Sequence, residues 1–436
     1  MSRTDLFMNN IDSNLRISIK DFRAINEADI SLNGITVLAG ENGSGKSTVS
    51  ELVYYFLKEM NNYNDIVLLT LSFSLKKYLS VFDSIILTTA SNFDEYESFS
   101  KLTQLKNLDD LQLIGNNISA LCNIILERYN NNRIIGKDRF RRILINTMNL
   151  EDEVPFQEAL KKVEEVIQNK IKEAQEQVRK RPSSLFKEFL NQHFGERVSK
   201  KVSLYEYGEI LFTEDQKSVP VPHFVNNLFY IDTPFALMIN EHHQHWKDLN
   251  DALKEDIHHQ TDSHIAYLIE NSVIKGEAFY EKADNHSGFV FQDKRGNKFS
   301  LSLAATGIRS FAIILMLLKK GQISDNTLLI LDEPESHLHP QWVIEYARMI
   351  VLIHKYLGTK FLISSHSPEM VSAIRYIAEA EGCTASLEFY IAKKAKYGKG
   401  RYNFKSTGLN IDPTFRSFNK SFDILNSYTS TNEQEG

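Results

Sequence analysis

The sequence predicts an α/β fold: a mixed, largely parallel sheet with flanking helices, opened by an N-terminal antiparallel hairpin and interrupted by a large helical insertion. Three observations predict it. An apolar run, Ile35 to Ala39, feeds a glycine-rich loop and then a helical pattern. From Leu228 onwards strand and helix patterns alternate in β-α-β order, which implies parallel strands joined by helical crossovers. Between the two, from about 91 to 225, the pattern is helical and highly charged, with no clear run of alternating strands. The expected division is therefore 1–90 for a first half, 91–225 for the insertion and 226–436 for a second half, in keeping with 436 residues being long for one compact domain.

Ile17 to Ile25 and Ala28 to Leu32 read as short strands with a turn between them, and Ile35 to Ala39 as a third strand. Val49, Leu52, Val53, Phe56 and Leu57 then recur at helical spacing to about Met60, and the polar run Asn61 to Asp65 ends that helix. Inside the insertion, Phe156, Leu160, Val163, Ile167, Ile171, Ala174 and Val178 step by four and three residues up to Arg181-Pro182. At 1.5 Å per residue that helix is only about 35 Å long. It is either packed on its own insertion or a surface for a partner. The second half supplies a strand at Leu228 to Ile231, a polar helical stretch from Trp246 to Ile274 and a hairpin of Gly288 to Gln292 with Lys298 to Leu303. A helix follows from Gly307 to Lys320, then a strand at Leu328 to Leu331, a helix from Gln341 to Leu357, a strand at Phe361 to Ser364 and another at Ser386 to Lys394. Residues after Asn419 read as a frayed tail.

The loop Gly40-Glu41-Asn42-Gly43-Ser44-Gly45-Lys46-Ser47-Thr48 fits the G-x-x-x-x-G-K-[ST] phosphate loop in its required setting, after a strand and before a helix. Its glycines let backbone N–H groups turn inward as an anion nest, and the helix adds its positive N-terminus. A nucleoside triphosphate is the expected ligand, with Lys46 on the β- and γ-phosphates and the Ser47 hydroxyl on Mg²⁺. Such a loop needs a second, acidic strand. Thr327 to Glu335 (TLLILDEPE) offers one, with Asp332 placed to hold Mg²⁺ through water alongside Ser47 and Glu333 to polarise the attacking water as general base. The plainer alternative is that Asp-Glu-Pro merely ends a strand. One crossover further, Phe361 to Ile363 lead into Ser364-Ser365-His366-Ser367-Pro368, so His366 is expected to sense or stabilise the γ-phosphate, against the plainer reading of a structural histidine.

On these residues the chain resembles the ABC-type ATPases that include structural-maintenance, RecF-like and overcoming-lysogenization-defect proteins. The opening ISIKDFRAI with GITVLAGENGSGKST is similar to the start of those proteins. Ala305-Thr306-Gly307-Ile308-Arg309-Ser310, LDEPESHLHP and SSHSPEM together look most like the ATPase subunit of Septu-type antiphage systems. The resemblance implies a homodimer or higher oligomer in which two subunits sandwich two ATP molecules. A signature segment of each would touch the γ-phosphate held by the other, through Thr306 and Gly307 here. The usual L-S-G-G-Q serine is missing at Ala305, which puts turnover in doubt more than binding. The resemblance also implies a separate HNH-type nuclease partner. The stretch after His366 lacks the glutamate and D-x-D cluster of a Toprim nuclease. Glu335 to Pro340 sits where that family's D-loop lies, so His337 or His339 is a candidate interface residue. Its glutamine loop is not placed, Gln104 and Gln112 being candidates only. Two other function classes stay open: an assembly scaffold that binds ATP with little turnover, and a DNA-repair ATPase. A transporter subunit is a weaker fourth reading.

Fifty basic residues against 56 acidic give a net charge of −6, which does not favour a protein that coats nucleic acid but permits a local basic patch. Such a patch is offered at 393–402, where Lys393, Lys394, Lys396, Lys399 and Arg401 alternate with Tyr397 and Tyr402; it could touch DNA or an acidic partner, or be a solvated hairpin. The cluster Glu241, His242, His243 and His245, with His258, His259 and His264, reads as a solvated face rather than a metal site. Cys122 and Cys383 form no C-x-x-C pair, which fits a reducing cytoplasm. No apolar leader is evident, and the most apolar run, Phe311 to Leu318, is too short to cross a bilayer, so no membrane partner is expected.

Overall fold

The computed structural model describes residues 14–89, 97, 111–131, 137–195, 197–233, 243–255, 264–282, 287–336, 338–396 and 400–415. Two compact units emerge: one built from the N-terminal segment to Asn61, Leu190–Gln216 and everything from Pro220, the other from Asn62–Phe189 with Lys217–Val219.

The first unit carries the sheet. Strands β1 (Leu15–Phe22) and β2 (Ile25–Ser31) form the expected hairpin, with buried Phe22 and Ile25 paired across the turn and Arg23 at φ 47°. The turn therefore falls three residues earlier than the patterning places it. β3 (Ile35–Ala39), buried at every position, leads through the phosphate loop into α1 (Lys46–Asn61). The strands β4 (Val202–Glu206) and β5 (Glu209–Phe212) follow the helical unit, and β4 pairs with β1, so they belong to the sheet although they lie inside the span 91–225. Their turn, Tyr207-Gly208, has both φ values positive (50° and 81°), the backbone a tight hairpin demands.

β6 (Asn227–Ile231), β10 (Thr327–Asp332), β11 (Lys360–Ser365) and β12 (Leu387–Lys394) run parallel with β3, and β13 (Tyr402–Gly408) turns back antiparallel on β12; the full order is β5-β4-β1-β2-β13-β12-β3-β11-β10-β6. A separate sheet holds β7 (Gly276–Glu281), which the patterning missed, with β8 (Gly288–Asp293) and β9 (Lys298–Ser300). Parallel pairing gathers the C-terminal ends of β3, β11, β10 and β6 at one sheet edge, where ligands bind in such folds.

The second unit begins at Asn62, within the span 1–90, because α2 (Tyr63–Thr89) is already part of it; α3 (Leu111–Asn130), α4 (Lys137–Met148) and α5 (Phe156–Lys180) follow. The α5 stripe from Phe156 to Ala174 is buried, and the helix packs on α2, α3 and α4. The plainer of its two readings holds. The chain then continues as α6 (Ser183–Phe194), and after β6 as α7 (Gln244–Lys254) and α8 (His264–Leu268). In the first unit α9 (Thr306–Lys319) and α10 (Pro340–Leu357) pack with β3, β10 and β11 in one apolar core, joined by α11 (Pro368–Ala380), which the patterning did not register. Among the described residues no helix is long and apolar enough to cross a membrane.

Candidate active site

The phosphate loop has the geometry its residues demand. Gly43 and Gly45 lie at φ 75° and 96°, open to glycine and strained for any other residue, so Gly40 to Gly45 can arch over the start of α1. Asn42, Gly43 and Ser47 are exposed, Thr48 is half-buried, and Ser44 and Lys46 are buried. The Ser44 hydroxyl has no hydrogen-bond partner. Lys46, 4 % exposed, donates from Nζ to the Gly40 and Glu41 carbonyls at 3.0 and 3.1 Å. Burial lowers its pKa from the ordinary lysine value, opposed by the charges of Glu333, Asp332 and Glu335. Three carboxylates therefore act on this ammonium.

Asp332 ends β10. Its Oδ2 accepts from the Tyr230 hydroxyl at 3.2 Å, while Oδ1 is buried with no partner, and the Ser47 hydroxyl lies near enough to favour the ionised carboxylate. Burial raises its pKa, the Glu333 charge adds to this, and the Ser47 and Tyr230 hydroxyls and Lys46 oppose it. An orphaned carboxylate oxygen beside a serine hydroxyl is a hard-oxygen donor set of the kind that suits Mg²⁺, which takes one or two protein ligands and completes its shell with phosphate and water. Among the described residues no group of three or more acidic, histidine or cysteine side chains gathers into a metal cage.

Glu333 follows at φ 47°, uncommon for a residue with a side chain, held there by its N–H to the Ser364 carbonyl at 2.8 Å. Its Oε1 lies 3.1 Å from His366 Nδ1, within ion-pair range although not aligned as a hydrogen bond. Ser47, Asp332 and Glu333 line a cleft of about 300 Å³ with Asp232, Thr233 and Ser310. Lys46 and His366 stand beside it through the contacts just described.

Patterning missed the residues on the far side of Asp332. Asp232 follows β6, whose Ile231 pairs with Leu331, so the two strand ends are neighbours. Asp232 accepts from Trp246 Nε1 at 2.7 Å and bonds His245 Nε2 at 3.1 Å; burial alone would raise its pKa, but these two bonds hold it below the usual carboxylate value. The His245 ring lies 4.7 Å from that of Tyr230. The signal was an acid closing the run LFYID, the same pattern as LLILD. His245 is thus a packed core residue, which corrects the solvated-face reading for it; Glu241, His242, His258 and His259 lie outside the described residues.

Thr306 and Gly307 open α9 and do not line this cleft. Ala305 is the N-cap and supplies no capping bond, and Thr306 Oγ1 accepts from Arg309 at 3.5 Å. Gly307 is pressed under Trp342: a Cβ there would stand 2.5 Å from the indole Cε3. Gly307→Ala is accordingly expected to destabilise the fold by about 1–3 kcal/mol through overpacking, read as a lower urea midpoint. His339 occupies the N-cap position of α10 without a side-chain capping bond, His337 and Gln104 lie outside the described residues, and Gln112 is exposed on α3 in the helical unit. In the basic hairpin Lys394 Nζ comes 3.6 Å from Glu41, Arg401 pairs with Asp21 at 2.7 Å, and Tyr402 is buried beside β2, so it has no free face for stacking. Tyr397 and Lys399 are outside the described residues.

Residues 15–371 match the family described as AAA ATPase domain. No curated protein matches the chain. Among solved structures, the chain is similar to a Smc head domain from Pyrococcus furiosus bound to the C-terminal domain of ScpA, at 10 % identity over 95 % of this chain and 98 % of that one, with a TM-score of 0.33. It is likewise similar to the SMC head domain from Thermotoga maritima, at 11 % identity over 89 % and 97 %, with a TM-score of 0.36.

Proposed function

From the premise that this chain belongs to the AAA ATPase domain family, we propose that it is a cytoplasmic Mg²⁺-dependent ATPase, the nucleotide-controlled subunit of an antiphage complex whose DNA cutting is done by a separate HNH-type nuclease. The observation that carries the ATPase part is the meeting of Lys46, Ser47, Asp332, Glu333 and His366 at one sheet edge, from three strands far apart in sequence. The loop N–H groups of Gly43 to Lys46 and the start of α1 bind the phosphates. Lys46 neutralises the β- and γ-phosphates once it releases the loop carbonyls. Ser47 and Asp332 would hold Mg²⁺, which when bound would offset charge on the phosphate oxygens. Glu333 takes the proton of the attacking water, and His366, against Glu333, orients that carboxylate and meets the γ-phosphate.

Thr306 and Gly307, outside the cleft of their own chain, would serve the site of a second copy. The defence role and the nuclease partner rest on the motif resemblance. Purifying the tagged chain with the product of its neighbouring gene tests them: a stable complex that cleaves DNA supports the reading, and a solitary protein with strongly DNA-stimulated hydrolysis supports a repair ATPase instead. One observation favours a second reading. Ala305 offers α9 no side-chain cap and the signature no hydroxyl, which suits a nucleotide-gated scaffold that binds ATP with little turnover.

A further inference from the structure

Glu335 lies two residues beyond the proposed base and is 8 % exposed. A single oxygen of this side chain, Oε1, accepts three hydrogen bonds: from Ser365 Oγ at 2.7 Å, from the His366 N–H at 3.0 Å and from the Ser367 N–H at 3.2 Å. The other, Oε2, is buried with no partner. Burying a carboxylate with half its acceptor capacity unused is costly, and a neutral acceptor would satisfy the same three donors without that penalty.

The turn it holds joins β11 to α11. Ser367 N–H also reaches Ser365 Oγ at 3.1 Å, and Ser367 Oγ caps α11 by accepting from Met370 N–H at 3.2 Å, so the turn is fastened at both ends. In the opposite direction Glu333 N–H donates to the Ser364 carbonyl at 2.8 Å. The exits of β10 and β11 are thereby cross-tied into one body that carries both Glu333 and His366. Glu335 Oε1 itself lies 3.7 Å from His366 Nδ1, so its charge also faces the imidazole.

We propose that Glu335 is a positioning residue: it fixes the backbone and imidazole of His366 against Glu333, so that contact with the γ-phosphate at His366 is transmitted to the general base. This rests on the hydrolysis reading above. Four proteins separate the two: wild type, Glu335→Met, His366→Ala and the double variant. Glu335→Met, which leaves the three donors without an acceptor, is expected to lower kcat about tenfold with the ATP KM little changed, and the double variant to be no slower than His366→Ala, because the two act through one element. Effects that multiply overturn the proposal.

Amide exchange over residues 364–370 supplies a readout independent of turnover. Glu335→Ala should speed exchange at His366 and Ser367 while leaving α1 unchanged, with Glu335→Met, which keeps the length but offers no acceptor, read in its place if the alanine variant does not fold. Wild-type exchange rates at those two amides in the variant overturn the proposal. A wild-type chain that binds ATP without turnover removes the hydrolysis reading alone, and the exchange comparison then judges Glu335 by itself.

Discussion

Lys46→Ala is expected to abolish nucleotide binding, with at least a hundredfold loss of affinity, about 2.8 kcal/mol, in a titration with a fluorescent ATP analogue. Lys46 is the cation that faces three carboxylates, Glu333, Asp332 and Glu335. Without it a triphosphate would approach an acidic edge through backbone N–H groups alone. The buried ammonium already has its burial partly offset by the Gly40 and Glu41 carbonyls, which a phosphate would replace with charge-assisted bonds. Because the side chain packs beneath its own loop and not in the apolar core, the variant should keep its fold, which circular dichroism and the urea midpoint check. Saturable binding at wild-type concentrations would remove the phosphate loop from its assigned role.

What the sequence made legible here is what is contiguous in it. β3, the phosphate loop and α1 are a single run of chain, and Asp332, Glu333 and His366 each end an apolar strand, so each could be read without its neighbours. The hydrogen bonds of Glu335 need β10 beside β11, and the Tyr230, Asp232, His245 and Trp246 group needs β6 beside β10; neither pairing is written into local periodicity. The helix α2 escaped for the opposite reason. Its 27 residues contain no glycine or proline, but apolar positions occupy so much of its circumference that no clean stripe stands out. β4 and β5 are short, and the charged helices before them set the expected pattern for the whole span, although the alternation of VSLYE and the Tyr207-Gly208 turn was there to be read.

Glu333→Gln is the second large effect: turnover should fall by about a hundred- to ten-thousand-fold while ATP stays bound. Glutamine keeps the volume, the φ of 47° and the N–H to Ser364, so the turn itself is preserved and only the proton acceptor is lost. The pairing with His366 Nδ1 at 3.1 Å loses its charge at the same time, which makes the comparison with His366→Ala informative: a general base should cost more than the histidine that orients it. Phosphate release in single turnover, with bound nucleotide counted after gel filtration, measures both quantities in one preparation. Trapped ATP also sets the oligomeric state for observation, since a site completed by Thr306 and Gly307 of a second copy should hold the dimer together for as long as hydrolysis is blocked. Unchanged phosphate release would take the base assignment away from Glu333, and with ATP still bound it would favour a scaffold whose weakened signature at Ala305 is matched by a site built to hold nucleotide and not to consume it.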